Sequence, residues 1–188
     1  MASGGERRLY WGAGLTVLAL DLITKFAAER FLLRFSGRPV VGEWFQLRLV
    51  YNPGAAFGLD LGPWSRWIFM AIAIGALWLL FRYHRSASVG DWFRQLALGL
   101  VSGGAFGNLV DRVRSSQGVV DFLDLGVGSW RWPTFNVADM AVSCGAIALA
   151  VSLWREDARR EALAEAAGRS LPPESTPPGP ASLARSKE

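Results

Sequence analysis

Leu9-Tyr-Trp-Gly-Ala-Gly-Leu-Thr-Val-Leu-Ala-Leu-Asp-Leu-Ile-Thr-Lys-Phe-Ala-Ala-Glu-Arg-Phe31 decides how this chain is read. The stretch supplies the ~20 residues that a bilayer-spanning helix needs. Asp21 and Lys25 nevertheless interrupt it at mid-depth, where a charge facing hydrocarbon costs about 2.5 kcal/mol or more. Their spacing of four puts carboxylate and ammonium on one helix face with the acid N-terminal, the better order for pairing. The pair is therefore expected to point inward, fixing the helix in a bundle or serving a site. The same interruption argues against a cleavable leader, despite the basic Arg7-Arg8 flank, because no small-residue cleavage site follows an unbroken apolar core.

The rest of the chain extends this membrane reading. Of 188 residues 51% are hydrophobic, with 9 Trp and 11 Phe, and they fall in blocks. That is too apolar for a soluble domain of this size. Four apolar segments lie at about 9–31, 64–83, 92–110 and 137–154. Between the first two, Glu43-Trp-Phe-Gln-Leu-Arg-Leu-Val50 alternates polar and apolar residues with strand-like period, and Val119–Leu125 and Trp130-Arg-Trp132 also read as strand or interfacial segments. The predicted fold is a membrane α-helical protein: a four-transmembrane-helix bundle with a small extracytoplasmic β-sheet platform built from about 35–60 and 115–135. Residues 1–155 form the membrane domain and 156–188 a cytoplasmic tail. In that tail, helix formers through Ala167 extend the last helix, and the Pro, Ser and Gly content from Leu171 onward predicts disorder.

An even number of spans puts both termini on one side, and Arg7-Arg8 before the first span makes that side cytoplasmic. With Arg7 and Arg8 included, eight arginines near the spans fall on each side, so orientation rests on the first helix. No nucleic-acid partner is expected.

The polar residues concentrate at one end of the bundle. Gly99, Gly103 and Gly107 share a helical face with the spacing of close helix packing. Asn108, Asp111 and Arg112 follow directly and are suited to a hydrogen-bonded network, with Arg112 bracing a loop or a carboxylate. Asp121, in Gly118-Val-Val-Asp-Phe122, lies just beyond the third segment, and Asp139, in Phe135-Asn-Val-Ala-Asp139, just inside the fourth. Both reach the same membrane depth. Two close carboxylates share a proton, so that one acts as general base on water and the other as acid toward a carbonyl. Such a pair supports peptide hydrolysis, although an Asp opening a helix also serves the helix dipole alone. The single cysteine, Cys144, builds neither a disulfide framework nor a thiolate site and reads as a small packing residue. The single histidine, His84, between Arg82 and Arg85, reads as a solvated loop residue, leaving a zinc site or serine triad without ligands. No metal or cofactor is expected.

Asp21-Leu-Ile-Thr-Lys25, Asn52-Pro-Gly-Ala-Ala-Phe-Gly58, Gly103-Gly-Ala-Phe-Gly-Asn-Leu-Val-Asp-Arg112, Val119-Val-Asp-Phe122 and Phe135-Asn-Val-Ala-Asp139 together, in this order, resemble lipoprotein signal peptidase (signal peptidase II), the aspartic intramembrane protease family of bacteria. The resemblance covers most of 9–154. It implies that Asp121 and Asp139 are catalytic, and that Asp21, Lys25, Asn52, Gly54, Gly104, Asn108, Arg112, Asn136 and Ala138 line or support the site. It further implies a prolipoprotein substrate with a diacylglyceryl cysteine, cut before that cysteine, contact with membrane lipid, inhibition by globomycin-class compounds, and location in the bacterial inner membrane with the site near the outer leaflet. From another class, a small membrane transporter or proton-conducting bundle would use Asp21, Lys25, Asp111 and Asp139 as a relay. A non-catalytic binding protein would keep binding when its carboxylates become asparagine.

Overall fold

The computed structural model describes residues 4–34, 36–54, 59, 61–86 and 90–169. Ala55–Gly58 of the turn motif and the tail from Leu171 therefore lie outside the described residues. The elements in chain order are α1 (Gly4–Phe31), β1 (Arg38–Val41), β2 (Phe45–Asn52), one 3-10 turn at Gly62–Trp64, α2 (Ser65–Ser86), α3 (Trp92–Arg114), β3 (Val119–Val127), β4 (Trp130–Arg131) and α4 (Val137–Arg169). The chain divides into two compact units, Met1–Ala150 and Val151–Glu188. Within the second, the helix runs on through Arg169, and Arg160 pairs with Glu156 one turn earlier at 2.6 Å.

Three helical stretches have the length and apolarity to cross a membrane: Gly4–Phe31, Gly62–Ser86 and Val137–Ala166. Their outward faces are apolar. Phe26 is 70% exposed and Ile147 67% exposed, which in water would be a large uncovered patch. In hydrocarbon it is the expected lipid-facing surface. The third predicted span, α3, does not reach that apolarity, for a physical reason. It is the middle helix, with Ala97 and Leu98 fully buried, and packs through glycine rather than through large apolar side chains. A Cβ at Gly99 would lie 2.6 Å from the Tyr10 carbonyl of α1, and one at Gly104 would collide with the Ala138 carbonyl of α4. Glycine lowers the apolarity of the sequence while allowing the backbones to meet.

Hydropathy locates the helices but trims them. α1 begins at Gly4 and α3 continues to Arg114, because helix-forming charged residues extend a helix past the apolar part that marks it. Two expectations about single residues are corrected. His84 is inside α2, only 3% exposed, with its ring stacked 3.9 Å from Tyr10 and its Nδ1 2.6 Å from Gln95 Oε1. Cys144 is exposed on α4 and does not fill the core.

The four strands form one antiparallel sheet in the order β1-β2-β3-β4. Pro39 occupies the edge strand β1, where a missing N–H costs no ladder bond. Val120 and Phe122 of β3 and Leu49 of β2 pack on Ala28 of α1, joining sheet to bundle. Each large apolar side chain buried there contributes on the order of 1.5–3 kcal/mol. The opposite face of β3 is thereby turned to the helix ends with Asp121 on it.

Candidate active site

Asp139 is placed by the way α4 begins. Asn136 is the N-cap residue: its Oδ1 accepts the Asp139 N–H at 2.9 Å, and the Asn136 N–H donates to Asp139 Oδ2 at 3.2 Å. This reciprocal arrangement is a capping box with Asn and Asp in place of the usual Ser and Glu. The other oxygen, Oδ1, accepts from Asn108 Nδ2 at 2.8 Å. One backbone and one side-chain donor thus hold the carboxylate in one orientation.

Asp121 arrives from the sheet. In the register of β2 and β3, Asn52 stands opposite Val119, so Asp121 is its diagonal neighbour on the same face, within side-chain reach. Asn52 Nδ2 donates to Asp121 Oδ2 at 3.2 Å, and Asn52 Oδ1 accepts the Gly54 N–H at 3.0 Å, closing the Asn-Pro-Gly turn. Gly118 makes this approach possible. Its φ is +105°, and any Cβ there would strike the Asn52 carbonyl. Asn136 Nδ2 donates to Asp121 Oδ1 at 2.7 Å and lies 3.2 Å from Asn108 Oδ1. One fully buried asparagine thus contacts both aspartates, Asp121 through its amide and Asp139 through its backbone N–H.

Behind them lies a charged cluster. Lys25 Nζ is 2.7 Å from Asp21 Oδ2, 2.9 Å from Asp111 Oδ2 and 2.8 Å from Asn108 Oδ1. The three donors of an ammonium meet three acceptors. Lys25 is 1% exposed and both aspartates are fully buried, a burial tolerable only because each charge is paired and hydrogen-bonded. The expectation that Asp21 and Lys25 pair and face inward holds. Asp21 Oδ1 also accepts the Ala138 N–H at 2.9 Å, tying α1 to the first turn of α4. Ala138 and Gly104 act by smallness, since their close contact lets α3 and α4 meet at this depth. Arg112 braces the loop: its Nη2 donates to the Gly54 carbonyl at 2.8 Å and its Nη1 to the Asn108 carbonyl at 3.2 Å.

All eleven residues singled out in the sequence fall in this one region. Three more belong with them. Asp111, read in the sequence as part of the polar helix end and of the alternative relay, is the second counter-ion of Lys25 and accepts the Val120 N–H at 3.2 Å. Gly107, seen only as a packing glycine, leaves the space that Asp21 fills. Glu29 joins Tyr51 of β2 at 3.0 Å to Arg114 of α3 at 2.9 Å, a link across three elements that no local pattern announces. Asp111 alone carried a signal, an acid three residues past Asn108.

Asp121 lies outside the spanning helices, and burial pushes its carboxyl up to about 7; the nearby charge of Asp139 adds to this, while the Asn52 and Asn136 hydrogen bonds and the Lys25 charge oppose it. Near neutrality such a carboxyl can hold or release a proton, the property a general acid or base requires.

Fold and site define a multi-pass membrane protein with two carboxylates gathered on one buried asparagine. The chain belongs to the signal peptidase II family, whose model, described as Signal peptidase (SPase) II, matches residues 14–155. It is 43% identical over 161 residues to the lipoprotein signal peptidase of Cupriavidus taiwanensis, covering 82% of this chain and 88% of that one. It is 39% identical over 150 residues to that of Burkholderia mallei (strain SAVP1), covering 79% and 89%. Among solved structures, a bacterial membrane enzyme determined by the in meso method at 2.3 Å resolution is similar with a TM-score of 0.71 and 27% identity, covering 78% of this chain and 88% of that one. A second, at 1.9 Å resolution, gives 0.67 and 28%, covering 75% and 89%.

Proposed function

We propose that this signal peptidase acts on prolipoproteins, cutting before a cysteine that already carries a diacylglyceryl group, with Asp121 and Asp139 as a metal-free acid/base pair. The observation that carries the reading is the contact of both carboxylates with Asn136, from two different elements, at the end of an otherwise apolar bundle. The ionised member of the pair deprotonates a water, which attacks the scissile carbonyl. The protonated member stabilises the forming gem-diol and then protonates the departing amine. One proton is shared between the two groups. Asn52 and Asn136 hold Asp121, and Asn108 and the α4 cap hold Asp139. Lys25 offsets the charge of Asp21 and Asp111 behind the pair. Arg112 fixes the turn at Gly54 beside the substrate path.

In this reading α3 is the fourth span, shielded from lipid by its neighbours. Both termini are cytoplasmic, and the pair lies near the outer leaflet of the inner membrane beneath the sheet. The sheet either caps the bundle or receives the substrate backbone as an added strand. Globomycin-class compounds should compete for the same place.

The test is cleavage by the detergent-purified chain of a lipobox peptide with and without the diacylglyceryl group, read by product mass, with and without chelator. The expected outcome is a single product beginning at the lipidated cysteine, no product from the unmodified peptide and no chelator effect. Cleavage elsewhere, or equal cleavage of the unmodified peptide, would overturn the substrate assignment.

A further inference from the structure

A groove of ≈ 300 Å³ runs along α1, α2 and α3, from Tyr10 and Phe81 to Leu18 and Phe106. Its origin is readable in the chain. Gly14 and Gly103 meet backbone to backbone, a Cβ on Gly103 lying only 2.5 Å from the Gly14 carbonyl, so this part of the floor carries no side chain. The walls, Trp11, Leu15, Leu18, Phe81 and Phe106, are apolar. The polar groups at the floor, Tyr10 and Ser102, bond each other at 3.1 Å, offering the groove little beyond an apolar trough.

Three arginines flank one mouth. Arg7 and Arg8 lie one turn before Trp11, on the helical turn that leads into the groove, and Arg85 is 5.9 Å from the ring of Phe81, a wall residue. All three are exposed, and none forms an ion pair among the described residues. The neighbouring acids are engaged elsewhere: Glu6 is buried with its carboxylate accepting from the Gly90 N–H, and Asp91 pairs with Arg94 at 2.9 Å.

We propose that the groove is a binding site for one anionic phospholipid, with an acyl chain along Trp11, Leu15 and Leu18 and its phosphate against Arg7, Arg8 and Arg85. Size selects the acyl chain, because a second helix, ~10–12 Å across with its side chains, does not enter a trough of this volume. Charge selects the headgroup, since basic positions at the membrane surface beside an inter-helix pocket favour anionic over neutral lipid. The headgroup end lies away from the charged cluster: Arg8 precedes Asp21 by thirteen residues on α1, an axial distance of ~20 Å at 1.5 Å per residue.

The test uses the full-length chain, delipidated in detergent and titrated in native mass spectrometry with phosphatidylglycerol, with phosphatidylcholine of the same acyl chains, and with diacylglycerol. One phosphatidylglycerol should bind at least about tenfold more tightly than either of the others. Leu15→Trp, which fills the trough from a position already 60% exposed, should remove that adduct. Arg8→Gln with Arg85→Gln should reduce it to the phosphatidylcholine level. Ile72→Trp, on the exposed face of α2 and outside the groove, should leave it intact, and thermal midpoints check that each variant is folded. Equal retention of the three lipids, no response to Leu15→Trp, or equal loss in Ile72→Trp would each overturn the site.

Discussion

Asp121 and Asp124 stand three residues apart on β3 and are equally hidden, at 3% and 2% exposure. Their neighbours differ in kind. Asp124 has two guanidinium partners, Arg131 at 2.7 Å and Arg48 at 3.4 Å, and they fasten the sheet to itself. Asp121 is held by two amides, from Asn52 and Asn136. A guanidinium supplies full charge, whereas an amide supplies direction with little charge. The comparison teaches how one strand carries a structural acid and a chemical one: burial is common to both, and with no cation paired to it among the described residues Asp121 is able to take up a proton near neutrality.

The largest way to break this arrangement is at the cation behind the site. Lys25→Met leaves Asp21 buried without its counter-ion and Asp111 with Arg114 alone, and a loss of about 3–5 kcal/mol is expected, seen as a lowered thermal midpoint. Cleavage should go with it, because Asn108 loses a partner that orients it toward Asp139. Next is a substitution that gives Asp121 the surroundings of Asp124. Asn52→Lys puts an ammonium where an amide was, which favours the ionised carboxylate, and cleavage should fall on the order of 100-fold with less effect on stability. Retained activity in that variant would mean that the proton on Asp121 is not used.

The pH profile is a gentler version of the same test. An acid whose folded value is raised to about 7 is protonated below that pH and ionised above it. Once the pair has lost its shared proton no member can act as acid, so cleavage should decline as pH rises through about 7, by roughly tenfold per unit at the steep part. A profile flat from 6 to 9 would count against the shared proton.

Much of this was legible in the sequence, and the exceptions follow a pattern. The i,i+4 spacing of Asp21 and Lys25 foretold an inward ion pair, and the break in hydropathy near residue 110 foretold a polar helix end. Asn136 and Asp139 could be read as a helix start because N-cap chemistry is local. The pairing of Asp111 with Lys25 was not, since that partner is on α1 and only folding brings the two together. His84 misled for the opposite reason. Placed between two arginines past the apolar stretch of α2, it has the local appearance of a loop, while the stacking on Tyr10 and the bond to Gln95 that bury it come from other helices. Gly107 belongs with these. Its spacing announced close packing, but that the space would hold a carboxylate depended on the register of α1 against α3.

The smallest predicted effect is at Asp124. Asp124→Asn should cost about 1–3 kcal/mol of stability through the loosened sheet, with cleavage within about threefold of wild type. Set beside Asp121→Asn and Asp139→Asn in one assay of a diacylglyceryl-modified lipobox peptide, with thermal midpoints taken on the same preparations, this variant supplies the most direct measurement. The account predicts that the Asp121 and Asp139 variants stay folded and lose at least about 1,000-fold in cleavage, while the Asp124 variant melts earlier and still cuts. Cleavage surviving in either of the first two, or lost equally in all three, would contradict it.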